Sequence, residues 1–212
     1  MIIVVSVFVA VFLEGVATDS SSSADAHTTL GQLAAELRAD REDLARIRGV
    51  QVGHGGAYDD LLLWFATPES LPGDSVQAAL DQIGFLNLTM YPRKGSWGAL
   101  TSGGQLVWVR DPGLVARLAN FYESTHTRLE AAGRDYDFNV NEVARVTASR
   151  AWDWQQMRPR MNGESEVAEL FGQLRYLRLS WNQYYIDLLD DYGAEMEALL
   201  GDLEAYLSLG DT

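Results

Sequence analysis

The 212-residue chain predicts a mainly α fold. An apolar N-terminal helix, read as a transmembrane helix, leads into a helical bundle that ends in a long C-terminal helix. Three observations carry that reading. Residues 1–13 contain one polar side chain, Ser6, and no charge. Apolar residues elsewhere recur three and four apart, the period of a helix with one buried face. The interior run at 106–109, Leu-Val-Trp-Val, reads as a brief extended piece too short to found a sheet.

The anchor is assigned to residues 1–17 and rests on Ile2, Ile3, Val4, Val5, Val7, Phe8, Val9, Val11, Phe12 and Leu13. At about 1.5 Å per residue, seventeen helical residues reach roughly 25 Å, against a hydrocarbon core of roughly 30 Å. So short a span suits packing beside other membrane helices better than standing alone in lipid. Two other readings stay open. Gly15, Val16 and Ala17 offer small residues for signal-peptide cleavage, but a basic n-region is missing. A buried element of a soluble core is the third, weakened by a run that is apolar on every face. The first basic residue is Arg38, so the positive-inside rule gives no direct vote. Asp19 and Asp25 agree with a carboxyl side that lies outside.

Residues 18–26, with the run TDSSSSAD, read as a polar linker, and 27–212 as the helical domain. Over 27–48, Leu30, Leu33, Leu37, Leu44 and Ile47 form a heptad-like seam. Glu36, Arg38, Asp40, Arg41, Glu42 and Asp43 are assigned to the other faces. Gly49 is expected to end this helix, with GVQVGHGG at 49–56 as a glycine-rich break. A short helix is expected over 57–66, and another from Asp74 or Ser75 to about Ile83. Residues 96–102 read as one or two helical turns stopped by Gly103 and Gly104. Asp111 and Pro112 supply an N-cap with proline at the first helical position, opening a helix to about Ala132. Residues 136–158 are expected to be helical through Val140, Val143, Val146, Trp152 and Trp154. The last element is the clearest: Val167, Leu170, Leu174, Leu177, Trp181, Tyr184 and Leu188, then Tyr192, Met196, Leu199, Leu203 and Tyr206. Unbroken, 164–207 would span about 66 Å, with Gly193 or Gly201 as points of division. Two long seams near the two ends of the chain predict antiparallel partners.

Lys+Arg is 16 and Asp+Glu is 30, so the formal net charge is −14. Such a chain is repelled by nucleic-acid phosphates and by anionic lipid headgroups, and no nucleic-acid partner is expected. With no cysteine and three histidines, thiolate sites are excluded and histidine-rich metal sites are disfavoured. No catalytic residue, metal ligand or cofactor is assigned. The His54 stretch lacks the phosphate-loop spacing and its lysine, and reads as a loop. His126 lies near Glu123 and Glu130 at helical separations, which allows a metal pair or a proton couple; surface hydrogen bonding is the favoured reading. His27 reads as solvated. Ser102 does not match the strained hydrolase elbow.

Two patches are candidates for partner contacts. Arg93 and Lys94, the only lysine, stand beside Tyr91 and Trp97. Asp187, Asp190, Asp191 and Glu195, with Glu197, crowd the last helix. The latter reads first as a solvated acidic face, and second as a dock for a basic surface.

The order of elements resembles an uncharacterised bacterial family of small membrane-anchored proteins, a domain of unknown function. The resemblance is carried by IIVVSVFVAVFLEGVA followed by LGQLAAELRADREDLARI, and by SWGALTSGGQLVWVRDPGLVARLANFY at 96–122. The chain departs from the family in lacking basic residues before the apolar span. A tryptophan, asparagine and basic cluster after the span is replaced by TDSSSSAD. The resemblance implies a single-pass protein of the bacterial inner membrane with its C-terminal domain on the periplasmic side. It implies no activity.

The expected function is a non-catalytic, membrane-anchored accessory or scaffold subunit that stabilises a larger membrane assembly, with a respiratory or photosynthetic complex as one setting. Its partners would be other membrane subunits and, through the N-terminal helix, the bilayer. An extracytoplasmic enzyme or small-ligand receptor using His126 is one alternative. A coiled-coil protein self-associating through the 167–206 seam is the other.

Overall fold

The structure is a computed structural model. It describes the backbone of residues 2–67, 70, 72–83, 88–143, 152–153, 158–159 and 164–210. Side chains are described from residue 22 onward, except those of 73, 77, 80, 152–153, 158–159, 164–167 and 210. Helix α1 covers Ile2–Ala66, α2 Gly73–Ile83 and α3 Gly95–Ser102. A 3-10 turn, Gln105–Trp108, leads to α4, Pro112–Asn120. The π-helical turn Phe121–His126 continues directly into α5, Thr127–Glu142. Strands β1, Trp152–Asp153, and β2, Arg158–Pro159, form one small antiparallel pair. Helix α6, Glu164–Tyr176, passes through a second π turn, Leu177–Asn182, into α7, Gln183–Gly210.

The mainly helical reading holds, and four local expectations are corrected. The polar run 18–26 and the glycine-rich run 49–56 are both helical, inside α1. Glycine costs a helix about 1 kcal/mol relative to alanine. At 53 and 55 close approach offsets that cost. A Cβ on Gly53 would lie 2.5 Å from Gln82 Nε2, and one on Gly55 2.9 Å from Asn182 Oδ1. The 106–109 stretch is a 3-10 turn that ends at an extended Val109, set up by Gly104 at φ 64°. The helix begun at Asp111 runs on to Glu142, and Trp152 belongs to a strand. Val146 and Trp154 lie outside the described residues. The Asp111 cap is as expected: its carboxylate accepts from the N–H groups of Gly113 (2.7 Å) and Leu114 (3.1 Å).

The chain divides into two compact units. Unit 1 is 1–41, 92–126 and 194–212; unit 2 is 42–91 and 127–193. In each, α1 and the C-terminal helix run antiparallel, as the paired seams predict. Arg38 meets Glu204 (2.7 Å) and Arg41 meets Glu197 (3.7 Å) in unit 1. Arg48 meets Asp190, and Asp59 meets Arg178 (2.9 Å), in unit 2. The core of unit 1 holds Leu30, Leu33, Leu37, Leu114, Leu118, Phe121, Met196 and Leu203. That of unit 2 holds Leu44, Ile47, Leu61, Leu129, Val140, Leu174, Leu177, Leu189 and Tyr192.

Among the described residues one seam assignment, Tyr184, is corrected. Tyr184 is 43% exposed, while Tyr185 is fully buried. The π turn explains the slip. Its i→i+5 bonds add a residue to the turn, so the buried stripe emerges one position later than α-helical counting places it.

Among the described residues, no helix is long and apolar enough to cross a membrane. The anchor side chains at 1–17 lie outside the described residues, while the backbone from Ile2 is helical within α1.

Candidate functional site

In unit 1 the polar chemistry gathers where α1 meets the start of α3. Asp40 is 1% exposed, in the seam position midway between Leu37 and Leu44. Its carboxylate accepts from the Arg93 backbone N–H (3.0 Å) and from the Arg93 guanidinium (2.6 Å). One turn earlier on α1, Glu36 accepts from the Ser96 N–H with both oxygens (3.1 and 3.2 Å). That N–H belongs to the first turn of α3, whose amino end carries partial positive charge and favours a carboxylate. Two α1 carboxylates thus hold the 93–96 backbone in place.

Behind them, Trp97 stacks on Tyr122 with centroids 5.1 Å apart and 7° between planes. Its indole N–H donates to Glu123 Oε1 (3.0 Å). Burial raises the Tyr122 hydroxyl well above its usual pKa, and the charges of Glu36 and Asp40 push the same way. His126 ends the first π turn, 2% exposed. Its Nε2 lies 3.3 Å from the Pro92 carbonyl, and its ring packs near Tyr122. Surface hydrogen bonding for His126 is therefore corrected: the extra residue of the π turn carries it into the core.

Unit 2 contains a buried amide and tyrosine cluster at the second π turn. Asn182 donates to the Gln51 backbone carbonyl (2.9 Å) and to Gln51 Oε1 (3.2 Å). Gln51 donates on to the Leu88 carbonyl (2.6 Å). The Tyr185 hydroxyl accepts from the Met90 N–H (2.7 Å), and Thr89 and Tyr91 donate to Asp137 (2.7 and 2.6 Å). Tyr136 stacks with Trp181 and packs beside Tyr185. Burial pushes the Tyr136 hydroxyl up to about 12, against smaller opposite effects of Asn182 and Tyr58. Tyr58 and Tyr185 are raised further, again chiefly by burial. All three phenols stay protonated at any ordinary pH; the Tyr185 hydroxyl is engaged by the Met90 N–H, while the Tyr136 hydroxyl is buried without a hydrogen-bond partner among the described residues. The Trp181 indole N–H is buried without an acceptor among the described residues. His54 is helical and buried, not in a loop. Burial lowers its pKa, and a backbone hydrogen bond with Gln82 opposes that in part.

Several of the expected partner-contact residues are engaged by neighbours within their own unit. Tyr91 is exposed in unit 2, its hydroxyl on Asp137. In unit 1 the Arg93 guanidinium is held by Asp40, Lys94 is exposed, and Trp97 is core. On the C-terminal helix Asp187 accepts from Gln183 (2.9 Å), and Asp191 lies 3.7 Å from Arg128. Asp190 is held below the usual carboxylate range by its hydrogen bond from Arg48. Glu195 accepts from Thr125 (2.5 Å). Asp190, Asp191 and Glu195 are thus exposed yet met by neighbouring segments, while Asp187 is met by Gln183 of its own helix. His27, expected in water, is half-buried, with Nε2 3.3 Å from the Leu207 carbonyl.

Among the described residues, no three histidines or carboxylates converge as metal ligands. No protein-family model, curated protein or solved structure matches the chain. Sequence reading missed Asp40 and Asn182. Asp40 carried a signal, since the gap of seven between Leu37 and Leu44 has a vacant seam position at its middle. Asn182 carried none, because a π turn has no sequence signature of its own.

Proposed function

We propose that the chain is a non-catalytic accessory or scaffold subunit, held at a membrane by residues 1–17 and contributing a helical domain to a larger membrane assembly. The observation that carries this reading is the continuity of α1. One helix, Ile2–Ala66, contains both the charge-free start and the charged, packed face of the domain, with the polar 18–26 run helical between them. A swinging anchor on a flexible tether would put a coil there. A continuous helix transmits position, which a scaffold needs. The use of the buried polar groups supports the same reading. Asp40, Glu36, Asn182, Gln51 and Tyr185 each bind backbone or amide groups of a neighbouring segment, which is positioning work. A bacterial inner membrane with a periplasmic domain is the setting that the family resemblance adds.

Gentle detergent extraction followed by native mass analysis tests the proposal. The chain is expected to leave the membrane in stable stoichiometric association with other membrane subunits. Extraction as a lone monomer would overturn it, and a homo-oligomer alone would favour self-association through the C-terminal helix.

A further inference from the structure

The turn between α3 and α4 and the end of α7 share one end of unit 1. Helix α4 runs antiparallel to α7: Arg110 N–H donates to the Tyr206 hydroxyl (3.1 Å), Arg117 meets Asp202 (2.7 Å) and Thr125 meets Glu195 (2.5 Å). Helix α1 joins at the same level, with His27 against the Leu207 carbonyl. The 3-10 turn Gln105–Trp108 therefore stands at the end of unit 1 toward which α1 runs back to its apolar start.

That end is apolar and uncharged to a degree unusual for this chain. Val107 is 80% exposed and Leu209 is 75% exposed, the two most exposed of the large apolar side chains described. Leu106 and Trp108 are half-exposed beside them. Residues 95–109 and 205–210 contain no charged side chain, in a chain that is 22% charged. The charges that flank these stretches in sequence are Lys94, Arg110, Glu204 and Asp211; exposed Asp25 lies two residues before His27 on α1, and the Asp111 carboxylate is turned inward as the cap of α4. Water gives no reason to keep charge away from an exposed turn, whereas a lipid interface does.

We propose that this tip, Leu106, Val107, Trp108 and Leu209, is a second membrane contact that rests in the headgroup layer of the bilayer beside the N-terminal anchor. The inference rests on the proposed anchoring by residues 1–17. At about 1.5 Å per residue, the ten residues from His27 back to Ala17 amount to roughly 15 Å of α1, and Leu209 reaches about 3 Å of that. The headgroup layer is about 5–8 Å thick on each side. Where α1 tilts toward α4, an angle near the average of about 20° lowers a helix about 8–10 Å away by about 3 Å, which brings the turn to the outer edge of that layer. The contact is therefore shallow: the apolar side chains touch the interface, and the tip does not span it. Two points of attachment fix the tilt of the domain, where one leaves it free to rotate.

The chain has no cysteine, so a single one can be placed and labelled cleanly. Val107→Cys in the full chain, carrying an environment-sensitive fluorophore, is reconstituted into vesicles of phosphatidylcholine and phosphatidylglycerol. Ala198→Cys, exposed on the same unit well along α7 from the tip, is the reference. Nitroxide lipids labelled at the headgroup are expected to quench the site-107 label several-fold more than the site-198 label. Deep-chain nitroxides should quench it less than headgroup ones. Vesicle-bound chain whose two labels are quenched alike would overturn the inference and leave the anchor standing. Blue-shifted emission at 107 without lipid quenching would overturn it in favour of contact with a second copy. Failure of the chain to pellet with vesicles would overturn the anchor and this inference together.

Discussion

Asp40 is the side chain whose removal should report most sharply on how unit 1 is held together. Asp40→Ala deletes a carboxylate that is 1% exposed and accepts hydrogen bonds from the Arg93 backbone N–H and guanidinium. Breaking a buried ion pair usually costs about 3–5 kcal/mol, because the orphaned partner stays buried and charged. Here the partner guanidinium is 45% exposed and can turn to water, which removes much of that penalty. What remains includes a charge-assisted bond and a backbone N–H left without this acceptor, each about 1–3 kcal/mol. Relief of the desolvation of Asp40 itself runs the other way. The net loss is expected at about 2–4 kcal/mol, and Asp40→Asn, which keeps an acceptor for the N–H, should lose about half as much. For a chain of this size each kcal/mol moves Tm by roughly 2–4 °C, so the alanine variant should melt on the order of 10 °C lower. Urea titration of the detergent-solubilised chain, followed by far-ultraviolet circular dichroism, measures it. Glu204→Ala, which breaks a half-exposed pair with Arg38, is the control and should cost less than about 1 kcal/mol. If the two alanine variants are equally stable, Asp40 does not bear on the packing of unit 1, and the reading of the α1–α3 junction fails.

Three further outcomes are expected, each read by the same titration. Gly55→Ala presses a methyl against Asn182 and should cost about 1–3 kcal/mol, whereas Gly56→Ala, with nothing within 4 Å, should gain up to about 1 kcal/mol from helix propensity. Tyr185→Ala should cost at least about 3 kcal/mol and Tyr184→Ala less than about 0.5; the reverse order would refute the register shift at the π turn. His54 is held neutral by burial, with its folded pKa below the ordinary 6.5. The unfolded chain then takes up a proton there before the folded one does. Stability should fall as pH drops below about 6.5 and level off once the folded group also titrates. His54→Gln should flatten that slope; a slope unchanged by the substitution would exclude His54 as its source.

Most helices were legible because one physical rule, an apolar face every three or four residues, governs both sequence and packing. The α1 seam from Leu30 to Ile47, the Asp111–Pro112 start and the stripe from Leu170 through Leu203 all follow it. Reading failed where tertiary contact overrides local preference. Glycines at 53 and 55 signal a break to propensity, yet they let Gln82 and Asn182 approach a continuous helix. It failed again at the two π turns, where one added residue moves His126 into the core and exchanges Tyr184 for Tyr185. The polar centre of each unit was hardest to see. A buried Asp40 looks like any other charge in a charged helix until its seam position is counted. The meeting of Gln51 with Asn182 joins residues 131 apart in sequence.

Anchoring by residues 1–17 is the claim on which the proposed function depends, and washing membranes tests it most directly. Membranes from cells expressing the full chain, stripped with high salt and then alkaline carbonate, should retain the polypeptide in the pellet, while a chain lacking residues 1–17 should be released with its helical content intact. Recovery of the full chain in the wash would contradict it.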